Sequence, residues 1–317
     1  MTFHPDNLPD LNGKVFIVTG GNGGMGYYTV SHLARHGAHV YMCSRSQEKG
    51  NKAIAEIQKD HPSAKIDLLQ MDLMDFASVV AAANKFLSLE TTLHGLVNNA
   101  GIMATPFEMT KDGHEAQWQT NYLSHWVLTE HLIPLMRQTA KGLPAGSVRI
   151  VNLSSSGHMG APKTGINFDD LSLKDSTVWT RYGQSKLANI LHATSLHNKY
   201  GPGSQTKEGE IWVTSVHPGL VETNLSTAID SAETGGQRLI SVARCLRLLW
   251  TAERGSWNSI FCAASPDMKA EQSGQYLEIY HRFGEFWWQS NASKDEELAK
   301  NLDEWTRDTM RRDGRVQ

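Results

Sequence analysis

Hydrophobic and polar positions change period along the chain at regular intervals. Short runs rich in β-branched and aromatic residues stand at Val15–Val18, His39–Cys43, Ala64–Met71 and Leu93–Asn98, and again at Val148–Leu153, Ile211–Val216 and Gly274–Ile279. Glycine, proline or small polar residues bound them, and each predicts a strand. Between them apolar residues recur at helical spacing. That spacing predicts helices over Tyr27–His36, Gln47–Lys59, Asp75–Leu87 and Asp112–Arg137, then over Val178–Tyr200, Gly235–Thr251, Arg254–Ala264 and Asp295–Arg312. Pro134 fits the fourth of these only near a bend. Strands alternating with helices argue for an α/β fold with a mostly parallel seven-stranded sheet, doubly wound, with helices on both faces. No repeat, linker or compositional break divides residues 1–317, so they read as a single domain. Residues 1–12 show no period and read as an exposed arm, and residues 280–317 as a C-terminal extension.

The first strand runs into Thr19 and a cluster of glycines, and helix-forming sequence follows. Such a turn lets a pyrophosphate approach the backbone, with N–H groups at the helix start aimed at the anion. The glycines fit two patterns. Gly21, Gly23 and Gly26 spell G-x-G-x-x-G, whereas Thr19, Gly20, Gly24 and Gly26 spell T-G-x-x-x-G-x-G. Either alone is equally compatible with a purely structural turn.

Ligands of doubly wound sheets sit outside the carboxyl ends of the strands, so those ends carry the next signals. The second strand ends Cys43-Ser44-Arg45, where a fold that reads NAD places an acid. An arginine instead takes a 2′-phosphate in a bidentate fork, which favours NADP(H) over NAD(H). A solvated arginine at a helix start is the plainer alternative. Asp72, followed by Leu73, ends the third strand, where it can accept from an adenine amino group or cap a helix. Asn98-Asn99-Ala100-Gly101 ends the fourth with small and amide side chains that suit a flat cofactor, or simply a turn.

Later, Val151-Asn152-Leu153-Ser154-Ser155-Ser156-Gly157 ends the fifth strand, and Tyr182-Gly-Gln-Ser-Lys186 opens a helix. Tyr182 and Lys186 share one helix face. An ammonium near a phenol favours the phenolate and lowers the tyrosine pKa. A tyrosine so tuned can exchange a proton with an alcohol or ketone oxygen, and a neighbouring serine hydroxyl can hold that oxygen.

With these residues in this order, the chain resembles a short-chain dehydrogenase/reductase over about residues 12–280. The resemblance rests on Thr19-Gly20, Gly24-Met25-Gly26, Asp72, Asn98 to Gly101, Asn121, Ser155, Tyr182, Lys186 and Pro218-Gly219. It implies a Rossmann-type fold, with Tyr182 as general acid/base and with Lys186 lowering its pKa and bonding the nicotinamide ribose. It further implies Ser155 as the substrate-polarising serine, flanked by Ser154 and Ser156 as rivals, and Asn121 as the support of a water and proton relay. Gly20, Asn22, Gly24, Met25 and Gly26 then form the phosphate cradle, and Ser44 and Arg45 flank the 2′-phosphate. Asp72, Leu73, Asn99, Ala100 and Gly101 line the cofactor. Pro218, Gly219, Val221 and Thr223 contact the carboxamide and phosphates. Many NADP-preferring relatives carry a basic residue where this chain has Gly23. Within the family the chain is similar to the retinol dehydrogenase and WW-domain oxidoreductase branch. The carriers are Cys43-Ser44-Arg45, Asn121 to His125, Ile166 to Leu171 and the Trp305 helix. It is similar also to filamentous-fungal members of this length.

Composition narrows the setting. Thirty basic against 33 acidic residues give a net charge of −3, which offers nothing for nucleic acid. Cys43, Cys245 and Cys262 have neither metal-ligand spacing nor an even count, so a reduced, cytoplasmic location and no metal are expected. The first residues carry no apolar signal core, and no run is long enough to span a membrane; the sequons at Asn152, Asn224 and Asn291 then count as chance matches. Trp179 and His158 are candidate substrate contacts; His158 and His217 otherwise read as structural. The aromatic stretch Phe283–Trp288 reads as a substrate wall, a core segment or a subunit contact, and the charges at Lys294–Lys300 and Arg307–Arg315 as a solvated face. The expected function is NADP(H)-dependent interconversion of an alcohol and a ketone or aldehyde on a small lipophilic or aromatic substrate. The alternatives are reduction of a conjugated or aromatic substrate in biosynthesis, and a nucleotide-binding regulator with incidental turnover. A homo-oligomer and a monomer are equally compatible with these helices.

Overall fold

A computed structural model describes residues 3–204, 209–221, 249–278 and 289–317. Seven strands form one sheet: β1 (Val15–Thr19), β2 (His39–Ser44), β3 (Lys65–Gln70), β4 (Gly95–Asn98), β5 (Arg149–Leu153), β6 (Trp212–Val216) and β7 (Tyr276–Leu277). All pair in parallel, in the order β3-β2-β1-β4-β5-β6-β7. The order reverses between β1 and β4, which opens a crevice at their carboxyl ends.

Alternate residues of each strand feed opposite faces. Val15 and Ile17 of β1 join one core, against α3 (Phe76–Leu89), α5 (Ser124–Ala140), α6 (Val178–Tyr200) and α8 (Glu296–Arg312). Phe16 and Val18 join the other, against α1 (Gly24–Arg35), α2 (Gln47–Asp60) and α7 (Ala252–Ala264). The short α4 (Ala116–Trp118) leads through a π-helical turn, Gln119–Leu123, into α5. The α/β, doubly wound fold expected from the sequence is the one observed.

Several boundaries differ, each for a local reason. The long helix begins at Ala116, not Asp112, because Gly113 takes a positive φ of 84° and Glu115 caps the helix by accepting from Trp118 N–H. Residues 249–251 are not helical: Trp250 bridges Val221, and Thr251 caps α7. The rest of the helix expected over Gly235–Thr251 lies outside the described residues, as do Ile279, Cys245, Thr223 and the aromatic stretch Phe283–Trp288. The N-terminal arm is not exposed throughout. Phe3, Leu8 and Leu11 are buried in the second core, and Phe3 meets Phe261 edge to face. Three apolar anchors among short polar residues show no helical or strand period, which hid the docking.

Most charges at Lys294–Lys300 and Arg307–Arg315 are exposed, as expected, but Arg307 and Arg315 are half-buried in ion pairs, and Arg307 joins a cluster around the buried Asp303. Asp303 is 7% exposed and pairs with Lys199 of α6 and Arg307, and Arg307 holds Glu130 of α5 in a two-point contact of 2.7 and 3.2 Å. Arg315 likewise reaches Asp112. Burial raises the Asp303 pKa, but the charges of Lys199 and Arg307 outweigh it and the net shift is downward. A carboxyl depressed in the folded state stabilises fully above its unfolded value, and that contribution is lost as pH falls through the folded pKa. Asp303→Asn is expected to lower stability at pH 7 by about 1–3 kcal/mol and to shrink the gap from wild type at pH 3. Urea unfolding at the two pH values measures both.

Candidate active site

The turn after β1 needs glycine at particular places. Gly20 and Gly24 have φ of +64° and +53°, the left-handed region that side chains with a Cβ disfavour. A Cβ on Gly26 would lie 2.3 Å from the Gly20 carbonyl oxygen and 2.6 Å from Asn99 Nδ2. Gly21 is confined by Met42 and Val30, a matter of core packing. Gly23 is extended and faces open space. Of the two spellings, the geometry requires the glycines of T-G-x-x-x-G-x-G.

Thr19 closes this turn onto β4. Its Oγ1 accepts from the N–H groups of Asn99 and Ala100, both at 2.9 Å, and lies 2.9 Å from His125 Nε2. Both lone pairs are then taken, so the hydroxyl proton goes to Nε2. His125 Nδ1 correspondingly donates to the Asn121 carbonyl at 3.0 Å. Burial takes His125 down to about 4, so the ring stays neutral, as this pattern demands. Sequence reasoning missed the His125 side chain and the Thr19 hydroxyl; the available signal was His125 standing four residues after Asn121 on one helix face.

Asn121 sits in the π-helical turn, a distortion common at functional sites. The turn lets its side chain clasp Ile102, accepting from its N–H at 2.8 Å and donating to its carbonyl at 3.0 Å, while Nδ2 also reaches Ser185 Oγ at 2.9 Å. Ser185 donates back to the Tyr182 carbonyl. Asn121 thereby ties the loop after β4 to the first turns of α6.

The three serines after β5 have different surroundings. Ser154 is buried and donates to the Lys186 carbonyl at 2.7 Å, a structural bond. Ser155 Oγ caps the following turn by accepting from Gly157 N–H and hydrogen-bonds the Tyr182 phenol. Ser156 lends its N–H to His217 Nδ1. The Tyr182 ring lies against Gly157, where a Cβ would come within 2.7 Å of it. Burial pushes the Tyr182 phenol up to about 12, opposed by the bond from Ser155, and takes Lys186 down to about 7. At both groups burial is the larger cause and favours the neutral form. Lys186 Nζ stands 5.8 Å from the ring centroid and donates to the Leu153 carbonyl at 2.9 Å, beside Asn189.

A cleft of about 270 Å³ lies along the carboxyl ends of β1 to β4 and reaches Gly101 and Ile102, the latter held by Asn121. Gly20, Asn22, Ser44, Arg45, Asp72 and Leu73 line it, as do Ala100 and Gly101. Asp72 does not cap α3; that role belongs to Asp75. Asp72 Oδ1 accepts from Met74 N–H within its own turn. Lys49, which sequence reasoning passed over, joins Arg45 in the lining because Ser46 caps α2 and sets Lys49 in its first turn. Met25 and Val221 pack together against Gly255 beside the turn. Gly219 has a φ of +84° just after Pro218. Trp179 is half-buried on the first turn of α6. His158 is fully buried: its Nδ1 lies 2.7 Å from the Ser155 carbonyl and its Nε2 accepts from Ser290 N–H.

The family model for short chain dehydrogenases matches residues 14–166. A short-chain dehydrogenase/reductase of Aspergillus calidoustus is 48% identical over 312 residues, 97% of each chain. The chain belongs to the short-chain dehydrogenase/reductase family. A human polyprenol dehydrogenase is 32% identical over 271 residues, covering 85% of this chain and 78% of that protein. A crystal structure of a protein from Mycobacterium paratuberculosis superposes with a TM-score of 0.71 at 28% identity, covering 96% and 97% of the two chains.

A short-chain dehydrogenase/reductase is an oxidoreductase that binds a nicotinamide dinucleotide, and the residues present fit one. Gly20 and Gly24 hold positive φ and Gly26 has no room for a Cβ, which leaves a backbone cradle, and the Lys186 amine is buried without a carboxylate partner among the described residues. Thr19→Val keeps the shape and removes the hydroxyl, leaving two buried N–H groups and His125 Nε2 without their partner. A loss of about 2–4 kcal/mol of stability is expected, together with weaker dinucleotide binding. Thermal unfolding with and without NADPH measures the two effects.

Proposed function

We propose that this short-chain dehydrogenase/reductase interconverts an alcohol and a ketone or aldehyde on a small lipophilic or aromatic substrate, using NADP(H) in preference to NAD(H). The observation that carries the reading is the Ser155 hydroxyl bonded to the buried Tyr182 phenol, with the buried Lys186 amine beside that ring, at the carboxyl end of β5. Bound along the cleft, the nicotinamide dinucleotide supplies two-electron redox chemistry. Tyr182 gives a proton to the carbonyl oxygen in reduction, and takes it from the alcohol in oxidation. Ser155, already bonded to the phenol, holds that oxygen as its charge changes. Lys186 is anchored by the Leu153 carbonyl and stands on the Asn121 side of the site, where a Cβ on Gly101 would meet both Asn121 Oδ1 and Lys186 Nζ. Burial brings its pKa to about 7, so small changes in surroundings decide whether it bears charge beside the phenol.

The preference for NADP(H) rests on charge. Ser44 ends β2 where an acid would repel a 2′-phosphate, and Arg45 and Lys49 line the same cleft. Two cations there compensate for the open, uncharged Gly23. Likeness to a polyprenol dehydrogenase supports a lipophilic substrate. No helix among the described residues is long and apolar enough to cross a membrane, and the free, buried thiols of Cys43 and Cys262 support a cytoplasmic location.

Two variants test the reading. Tyr182→Phe is expected to keep NADPH binding and lose about a hundred- to ten-thousand-fold in turnover across a panel of lipophilic ketones; unchanged turnover would remove Tyr182 from the chemistry. Arg45→Asp is expected to lower the ratio of kcat/KM with NADPH to that with NADH by about tenfold or more. A raised ratio would overturn the use made of Arg45.

A further inference from the structure

The opposite end of the sheet, where β1, β4, β5 and β6 begin, holds a second cavity of about 310 Å³. Its charged lining is two cations, Arg149 and Lys14, against one carboxylate, Asp10. Arg149, the first residue of β5, is 9% exposed. Its Nε donates to the Gly146 carbonyl at 2.7 Å, and its Nη1 to the carbonyls of Cys262 and Ser265 at 3.3 and 2.8 Å, which caps the carboxyl end of α7. Those three bonds use three of the five guanidinium hydrogens. The two on Nη2 have no partner, and Nη2 is not among the sealed, unpaired atoms of the interior, so it opens to the cavity that Arg149 lines.

Two further donors stand on the same wall. His94, just before β4, accepts from Val15 N–H through Nδ1 at 3.1 Å. Burial, with the nearby Lys14 charge, takes its pKa down to about 4, so the ring is neutral and its proton sits on Nε2. Nε2 also has no partner and lines the cavity. Lys14, half-buried at the start of β1, has no ion pair among the described residues. The nearby acids are engaged elsewhere. Asp10 accepts from the Asn12 N–H and side-chain amide, and Glu210 accepts from the Trp212 indole N–H. Among the described residues no carboxylate pairs with Arg149. A buried guanidinium without a counter-charge, next to a cavity, is a costly arrangement that a bound anion relieves. Apart from Asp10 and Ser147, the rest of the wall, including Phe16, Trp212 and Met268, is apolar.

We propose that this cavity is a binding site for a small oxyanion, separate from the dinucleotide cleft, with Arg149 Nη2, His94 Nε2 and Lys14 Nζ as its donors. The size and apolar floor suit an organic carboxylate or phosphate ester better than a bare inorganic ion. β1, β4 and β5 each run from this cavity to Thr19, Asn98 and Leu153 at the active site, so an anion here grips the starts of the strands that carry the catalytic end.

The test is isothermal titration of the full chain with inorganic phosphate, with phenyl phosphate and with benzoate, each at low and high salt. Three variants accompany wild type. Arg149→Met removes the buried donor, and Lys14→Gln keeps the proposal testable should loss of the α7 cap unfold the first variant. Arg45→Ala reports on the dinucleotide cleft. Saturable binding of phenyl phosphate or benzoate with a Kd of about a millimolar or tighter is expected, weakened by salt, weakened about tenfold by Lys14→Gln, and unchanged by Arg45→Ala. Binding of the two aromatic anions tighter than that of inorganic phosphate identifies an organic ligand, and equal binding identifies a bare oxyanion. Absence of saturable binding for all three anions overturns the site. Binding abolished by Arg45→Ala and untouched by Lys14→Gln overturns it as well, because the anion then occupies the dinucleotide cleft.

Discussion

One hydroxyl joins the two halves of the sheet at the point where the ligand crevice opens. Thr19 Oγ1 takes two N–H groups from the end of β4 and gives its proton to His125. In return, Asn99 Nδ2 donates to the Thr19 carbonyl at 2.7 Å. Thr19, Asn99 and His125 are buried and Ala100 is half-buried, so breaking the bonds of this joint leaves desolvated groups behind. The glycine turn is shaped by the same joint, since Asn99 Nδ2 and the Gly20 carbonyl are what exclude a Cβ from position 26. From His125 the chain of bonds continues to Asn121, Ser185 and Tyr182. The phosphate cradle and the proton-transfer end are therefore parts of one hydrogen-bonded frame.

Within that frame the electrostatics are set by burial more than by pairing. Lys186, Tyr182, His125 and His217 all shift because water is excluded, and in each the shift favours the neutral form. A site of neutral, titratable groups responds strongly to any charge brought into it, because the surroundings do not screen that charge. The ammonium–phenolate attraction expected from the spacing of Tyr182 and Lys186 assumes a solvated or charged lysine. Here the amine is buried and bonded to a carbonyl, so burial, which spacing does not report, sets the direction of both shifts.

The parallel, doubly wound sheet was legible because strand and helix periods alternate cleanly from Val15 to Leu277. The glycine pattern became unambiguous only with backbone angles, since Gly23 and Gly24 look alike in a sequence and differ entirely in φ and surroundings. Ser154 and Ser155 are likewise adjacent and identical; which one faces Tyr182 follows from strand alternation at the end of β5, where Ser154 turns back to Lys186. Lys49 and His125 were missed because their roles depend on which helix face meets the cleft. The docking of Phe3, Leu8 and Leu11 was missed because it is purely tertiary. Of the charges on α8 that read as solvated, Arg307 is half-buried, because packing on α5 and α6, which the sequence does not show, encloses its partners in the ionic cluster, Glu130 and Asp303.

That cluster bears on the chemistry, because α5 and α6 carry opposite walls of the site and α8 spans them from behind. Tyr122, next to Asn121 in the π-helical turn, bonds Thr306 at 2.7 Å, and Trp126 donates to Asp303. On α6, Ser195 donates to the Ala299 carbonyl and Lys199 pairs with Asp303. Asp303 thus receives bonds from both helices and from Arg307 on its own. Apolar side chains of equal volume would seal this interface with less desolvation, but they would fix the relative register of α5 and α6 less sharply than directional bonds do. Register matters here because Asn121 and Lys186 approach each other across Gly101, where a Cβ would lie 3.0 Å from Asn121 Oδ1 and 3.3 Å from Lys186 Nζ. A slip of one helix along the other would close that gap or open it. The buried charges of the last helix are thus best understood as positioning elements for a catalytic wall more than a hundred residues earlier in the chain.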